Sequence, residues 1–240
     1  MIKTLSLLQR ASTYSKEQFR EHWTGTHVPM SSTLKALRGY AVSEVTGALT
    51  RPDVSDLGTD GKIDGIAETW VENEAARKRH SASPQAQAWF ADGAKFLSSV
   101  EVFVTEERVI VPPPMRNGPH AKMVSFLVRR EGMPVDTFMD HWINEHGLLA
   151  TAVPGIKGFV LSLVHEQFSR ADLAPMGLPK IDGIATTWFE SLDERAKLAG
   201  APEAIRWRAD GATFIGNMVT FVTKEHVVLW PSNRRPTSAP

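Results

Sequence analysis

The feature that most limits how this chain can fold is an internal repeat. When the 240-residue sequence is slid along itself by 119 positions, Lys3, Ser6, Leu8, Arg10, Phe19, His22, Trp23, His27, Gly39, Ser43 and Val45 meet Lys122, Ser125, Leu127, Arg129, Phe138, His141, Trp142, His146, Gly158, Ser162 and Val164. One deleted residue changes the offset to 118, and residues 63–70 then meet 181–188. Further along, Arg77, Pro84, Trp89, Asp92, Phe96 and Phe103 meet Arg195, Pro202, Trp207, Asp210, Phe214 and Phe221. Matches this dense with one gap mark two copies of a single structural unit. The copies are expected at residues 1–111 and 120–230, joined by the Pro-rich linker 112–119 and followed by a loose tail, 231–240.

One unit predicts the order β-α-β-β-α-β. Residues 2–10 carry Leu5, Leu7 and Leu8 and suit a strand. Ser15 is an N-cap for a helix that places Phe19 and Trp23 on one face. Gly39 opens a second strand through Val45, a long loop runs over 46–62, and residues 63–71 form a third strand. Ser83-Pro84 starts a second helix through Phe96, and 101–111 is the fourth strand. This is the split βαβ pattern of ferredoxin-like folds. Such a sheet has helices on one face, while strands such as Val102-Phe103-Val104 are too apolar to leave the other face wet. The second copy is the natural cover. The expected fold is therefore α+β: two ferredoxin-like repeats in tandem, meeting face to face in a pseudo-dimeric barrel with a central cavity.

Composition removes several functional classes. Lys plus Arg and Asp plus Glu are 27 each, so no net field favours nucleic acid or an anionic membrane. There is no cysteine, hence no disulfide, thiol catalysis or iron–sulfur ligation. No apolar run is long enough to span a bilayer, and the first residues show no signal peptide, so a cytoplasmic address is expected. Dinucleotide, phosphate-loop, serine-elbow and H-E-x-x-H patterns are missing, so the expectation is no cofactor and no metal. A small-molecule substrate is the expected partner, and pairing of two fused barrels into a homodimer stays open.

Taken together, Phe19-x-x-His22-Trp23-x-x-x-His27-x-Pro29, Gly39-Tyr40, Asp64-Gly65-Ile66-Ala67-Glu68-x-Trp70 and Ser83-Pro84 with Asp92 resemble the EthD domain of the dimeric α+β barrel superfamily. The second copy repeats Phe138-x-x-His141-Trp142-x-x-x-His146, Gly158-Phe159, Asp182-Gly183 and Asp210, but has Leu148 for Pro29 and Ala201 for Ser83. The resemblance implies the barrel and a set of chemistries on apolar, aromatic or polyketide-like molecules: lyase, dehydratase, decarboxylase, isomerase or cyclase. A cofactor-free monooxygenase and a non-catalytic binding protein of a catabolic pathway are the alternatives.

His27 and His146 are the candidate general acid/base residues, because imidazole exchanges protons near neutral pH. The competing reading makes each a helix-end cap. His22 and His141 lie five residues earlier, about 140° away on an ideal α-helix, so one face cannot carry both members of a pair. They are candidate substrate contacts, with Tyr40, Asp64, Asp182, Trp23 and Trp142. Asp64 and Asp182 are read as able to orient a histidine, or else as turn residues. Asp92 and Asp210 are expected to pair with arginine or to cap an element. His80 has no counterpart, since Leu198 replaces it.

Overall fold

The computed structural model of the protein describes residues 1–59, 62–115 and 120–231. The first copy comprises β1 (Ile2–Arg10), α1 (Lys16–His22), α2 (Val28–Met30), β2 (Leu37–Leu49), β3 (Ser55–Asp56), β4 (Gly65–Val71), α3 (Glu74–Ser81), α4 (Pro84–Phe96) and β5 (Leu97–Val111). The second comprises β6 (Ala121–Arg129), α5 (Val135–His141), α6 (Gly147–Thr151), β7 (Ile156–Ser169), β8 (Gly183–Phe189), α7 (Leu192–Leu198), α8 (Pro202–Phe214) and β9 (Ile215–Leu229). Residues 116–119 of the expected linker, and the expected tail beyond Pro231, lie outside the described residues. Among the described residues no helix is long and apolar enough to cross a membrane.

Local signals act where the sequence puts them. Ser15 caps α1 through a full capping box, its hydroxyl accepting from Gln18 N while Gln18 Oε1 accepts from Ser15 N. Ser83 caps α4 ahead of Pro84, as expected. Asn73 caps α3, a short helix that the sequence reading passed over.

The strands follow the order β2-β4-β1-β5-β7-β8-β6-β9, and β9 returns to β2, so eight antiparallel strands close a barrel. The two sheets therefore join edge to edge rather than face to face. Two long seams make the joint. β5 pairs β7 from Glu101↔Ser169 to Val111↔Phe159, and β2 pairs β9 from Tyr40↔Leu229 to Leu49↔Thr220. The seams explain why β2 runs on through what the sequence suggests is loop. Its distal half has no partner in its own copy and takes one from the other. The two-residue β3 adds a parallel flap on β9.

Alternation along each strand sends one set of side chains inward and the next outward. Leu5, Leu7, Ile66 and Phe103 meet Val124, Phe126, Ile184 and Phe221 in one apolar cluster drawn from both copies. An eight-stranded barrel is just wide enough for side chains to fill it, and these do. Among the described residues this apolar cluster occupies the place of the expected central ligand cavity. Outward residues such as Leu8 and Val42, or Leu127 and Leu161, join two further clusters beneath each copy's helices.

The barrel core also buries charge. Lys3 and Lys122, each 1% exposed, both reach the Glu68 carboxylate, Lys3 Nζ at 2.7 Å. Lys3 Nζ further meets Glu107 at 3.2 Å and Lys122 Nζ meets Glu225 at 2.7 Å. Those outer carboxylates accept from Trp70 Nε1 at 2.9 Å and Trp188 Nε1 at 3.1 Å. Burial alone would raise the Glu68 pKa, but the two ammonium groups hold it far below the usual carboxylate range. The network repeats in both copies except at its centre, where Thr186 stands opposite Glu68. Removing Glu68 takes from each buried ammonium one of its two carboxylate partners, and no water replaces it in the packed core. Glu68→Ala is therefore expected to lower the unfolding free energy by about 3–5 kcal/mol, measured by chemical denaturation, with Thr186→Ala as the mild comparison. An unchanged midpoint in Glu68→Ala would show that the network gives no net stability.

Candidate active site

After His22 the first helix does not continue as α-helix. Residues Trp23–His27 form a π-helical turn closed by Val28 N donating to Trp23 O, and Trp142–His146 repeats it with Gly147 N donating to Trp142 O. Such a turn spans five residues rather than four, so positions i and i+5 return to one side. The 140° separation expected on an ideal α-helix is thereby cancelled. His22 Nε2 and His27 Nδ1 lie 3.3 and 3.0 Å from the same oxygen of Asp92. In the second copy His141 Nε2 lies 3.1 Å from Asp210 Oδ1, and His146 Nδ1 lies 2.7 Å from Asp210 Oδ2. Asp92 and Asp210 are thus the histidine partners, not arginine partners. Lys95 Nζ adds a third contact to Asp92 at 3.1 Å. Burial opposes the charge on Asp92, but hydrogen bonds from His27, Lys95 and His22 keep its pKa below the ordinary value.

His27 and His146 are buried and clamped. His27 stacks on Trp89 with ring centroids 4.8 Å apart and meets Phe96 edge-on, while His146 stacks on Trp207 at 5.2 Å. Trp89 Nε1 donates to the His27 carbonyl at 3.1 Å, locking the ring platform to the turn. With a carboxylate facing Nδ1, that nitrogen carries the proton and Nε2 keeps its lone pair. Desolvation outweighs the neighbouring carboxylates and lowers both histidines from 6.5 to about 4. Both rings are neutral at neutral pH.

The remaining sequence candidates divide. Tyr40 is fully buried beside the Trp89 ring, edge to face at 5.6 Å, and burial pushes its phenol pKa up. Tyr40 Oη and Trp23 Nε1 lie beside each other and reach no other polar partner among the described residues, and Trp142 Nε1 has none. Trp23 lies flat on Gly65, where a Cβ would stand 2.6 Å from the indole, and Trp142 crosses Gly183 in the same way. Those glycines make room for an aromatic ring rather than a turn. Asp64 and Asp182 orient no histidine. Each accepts from a backbone N–H and pairs with the guanidinium of the same residue, Arg10 or Arg129, bracing the entry to the first helix.

A cavity of about 130 Å³ lies in the second copy, outside the barrel wall and under the helices. His146, Trp142, Phe159, Trp207 and Met123 line it. Their first-copy counterparts are His27, Trp23, Tyr40, Trp89 and Thr4, with His80 at the place of the lining residue Leu198.

One pair of residues went unread in the sequence. Arg51, from the first copy's loop, crosses the seam to donate to the Arg208 carbonyl at 2.7 Å, and its Nη1 would stand 3.0 Å from a Cβ on Gly211, beside His146. Arg170 makes the reciprocal crossing to the Phe90 carbonyl at 2.9 Å, beside Gly93 and His27. Asp53 and Asp172 hold the two guanidiniums. The recoverable signal was a repeated Arg-x-Asp in the loops, matched by an Asp-Gly inside each second helix, where glycine is otherwise unfavourable.

The histidine shifts give a pH prediction. In the unfolded chain each histidine takes a proton below about pH 6.5, whereas in the fold it waits until about pH 4. Protons therefore favour the unfolded state in that window. Stability is expected to be undiminished by these groups above pH 6.5, to fall as pH drops to about 4, and to change no further on their account below that. The slope is about 1.4 kcal/mol per pH unit for each histidine, and unfolding free energies across that range in wild type and His146→Gln would measure it. Equal slopes in the two proteins would contradict the burial argument.

The methylmuconolactone methyl-isomerase family model matches residues 1–110, and the EthD domain model matches residues 130–217. The 4-carboxymethyl-4-methylbutenolide mutase of Pseudomonas reinekei is 37% identical over 109 residues, which are 45% of this chain and 100% of that protein. A monooxygenase candidate from Fusobacterium nucleatum has a similar structure, with a TM-score of 0.62 and 8% identity over 94% of this chain and 93% of its own. An anthrone oxidase-like protein has a TM-score of 0.61 at 11% identity, covering 94% of this chain and 92% of its own. At those identities the likeness is one of fold. The full-length match to the mutase makes this chain a member of the methylmuconolactone methyl-isomerase family, with an EthD domain in tandem completing the α+β barrel.

Proposed function

We propose that the chain is a cofactor-independent isomerase of the mutase type, acting on a small unsaturated lactone or a comparable apolar acid. The observation that carries this is the buried His27–Asp92 dyad within residues 1–110, which the methylmuconolactone methyl-isomerase model matches, in a chain 37% identical over 109 residues to a butenolide mutase. In that dyad Asp92 fixes the imidazole through Nδ1, leaving Nε2 as the proton acceptor. Nε2 takes a proton from a carbon next to a carbonyl, a ring C–O bond breaks as the C=C bond forms, and the freed carboxylate closes again elsewhere. The same imidazole returns the proton. The product has the mass of the substrate, and no oxidant or reductant is consumed.

A base whose conjugate acid has a pKa of about 4 is always unprotonated at neutral pH, but it is weak. A substrate carboxylate brought into the dry site strengthens it by favouring the imidazolium. Tyr40 supports the reading as well. Its hydroxyl, with only the Trp23 N–H beside it, offers a hydrogen bond to a carbonyl oxygen in the first copy. The second copy has Phe159 there and lacks that donor.

The test is incubation with 4-carboxymethyl-4-methylbutenolide, following products by NMR and mass spectrometry. Expected is an isomer of unchanged mass, with kcat falling by about 10²–10⁴ in His27→Ala and by less in Tyr40→Phe. Oxygen uptake accompanied by a heavier product would point instead to the monooxygenase reading. Recovery of the lactone unchanged, or full turnover in the His27→Ala/His146→Ala double variant, would overturn the proposal.

A further inference from the structure

The two copies have the same dyad but different charge around it. In the first copy Arg77 is neutralised: its Nε lies 2.7 Å from Glu74 Oε2 and its Nη2 3.0 Å from Glu166 Oε2. Its counterpart Arg195 has lost both partners, because Leu192 stands for Glu74 and Gly47 for Glu166. Among the described residues Arg195 makes no ion pair, and the charge it faces is another arginine, Arg208. Arg208 is itself a gain of the second copy, where the first has Phe90. The Asp53 carboxylate, which also feels Arg208, is engaged through both oxygens by Arg51. Arg51, Arg195 and Arg208 all line the second-copy cavity with His146.

Like charges gathered at a half-buried site repel unless an anion lies between them. The rest of the wall is mostly apolar, with Phe159, Trp207 and Met218, and adds the hydroxyls of Ser125, Thr187 and Thr220. A cavity of about 130 Å³ is of the size that holds one small ring. We infer that the second-copy cavity is a binding site for a small-ring organic dicarboxylate, held by Arg195 and Arg208 and closed by Arg51 from the first copy. Guanidinium forks match carboxylates bidentately, which suits two acid groups on one flat body. The site is complete only across the seam, since one of its three cations belongs to the other copy. It stands apart from the isomerase reading, which rests on the first copy.

Calorimetric titration of the whole chain with phthalate, benzoate and dimethyl phthalate tests it without turnover. Phthalate is expected to bind about tenfold or more tightly than the uncharged diester, with benzoate between them. Arg208→Phe, which installs the first copy's residue, and Arg195→Met should each weaken phthalate by about tenfold without lowering the melting temperature of the free protein. Arg77→Met, at the neutralised counterpart, should leave phthalate affinity unaltered. Removing the first-copy base in His27→Ala, outside this cavity, should preserve phthalate binding, so a failed turnover assay and a failed binding assay are told apart. Equal affinity for diester and diacid, absence of phthalate binding, or indifference to both Arg208→Phe and Arg195→Met would overturn the inference.

Discussion

Everything in this molecule is arranged about one carboxylate in the barrel core. Glu68 sits between two lysines that come from different copies, and each lysine is backed by a further glutamate that accepts from a tryptophan N–H. Charges taken out of water cost more than they return unless every partner is in place. Here the contact between Glu68 and Lys122 forms only when both copies close. The ion network therefore acts as a check on assembly that the apolar cluster around it cannot supply, since leucine and phenylalanine accept many neighbours. It also breaks the symmetry. Two identical first copies would bring two carboxylates to the axis, and two second copies would bring none. A mixed pair has one, which is what a fused chain guarantees.

Outside the barrel wall the symmetry was kept where geometry is strict and lost where it is free. The π-helical turn, the shared aspartate and the stacked tryptophan occur in both copies, because each fixes the next. Around them Tyr40 is replaced by Phe159, His80 by Leu198, and Phe90 by Arg208. Those changes alter hydrogen bonding and charge without touching the frame that orients the imidazole.

The sequence made much of this readable. The repeat and its alternating strands led to the barrel, Ser15 and Ser83 marked the helix starts, and His27 and His146 stood out by chemistry and spacing. Other features were hidden for physical reasons. A π turn leaves no mark in apolar periodicity, because one extra residue per turn shifts the register without changing residue type. The i, i+5 spacing of His22 and His27 therefore argued against a shared partner that the structure provides. The partner itself, Asp92, lies 65 residues away from His27, and nothing local ties the two. The central cavity was expected because two sheets suggest a gap between them. Edge-to-edge closure instead fills the interior and moves the cavity beneath the helices.

The closing seam has a consequence for how the protein is made. Tyr40 pairs with Leu229, so β2 waits for β9, the last strand described. While the ribosome still holds the second half, the first emerges with two long strand edges bare, β2 and β5, and with Glu68 lacking Lys122. Unpaired edges of that length are sites for wrong association. The interval between the two halves leaving the exit tunnel is thus the hazardous period in the life of the chain. Slow synthesis across residues 112–230 would lengthen it, and a chaperone that shields strand edges would shorten its effect.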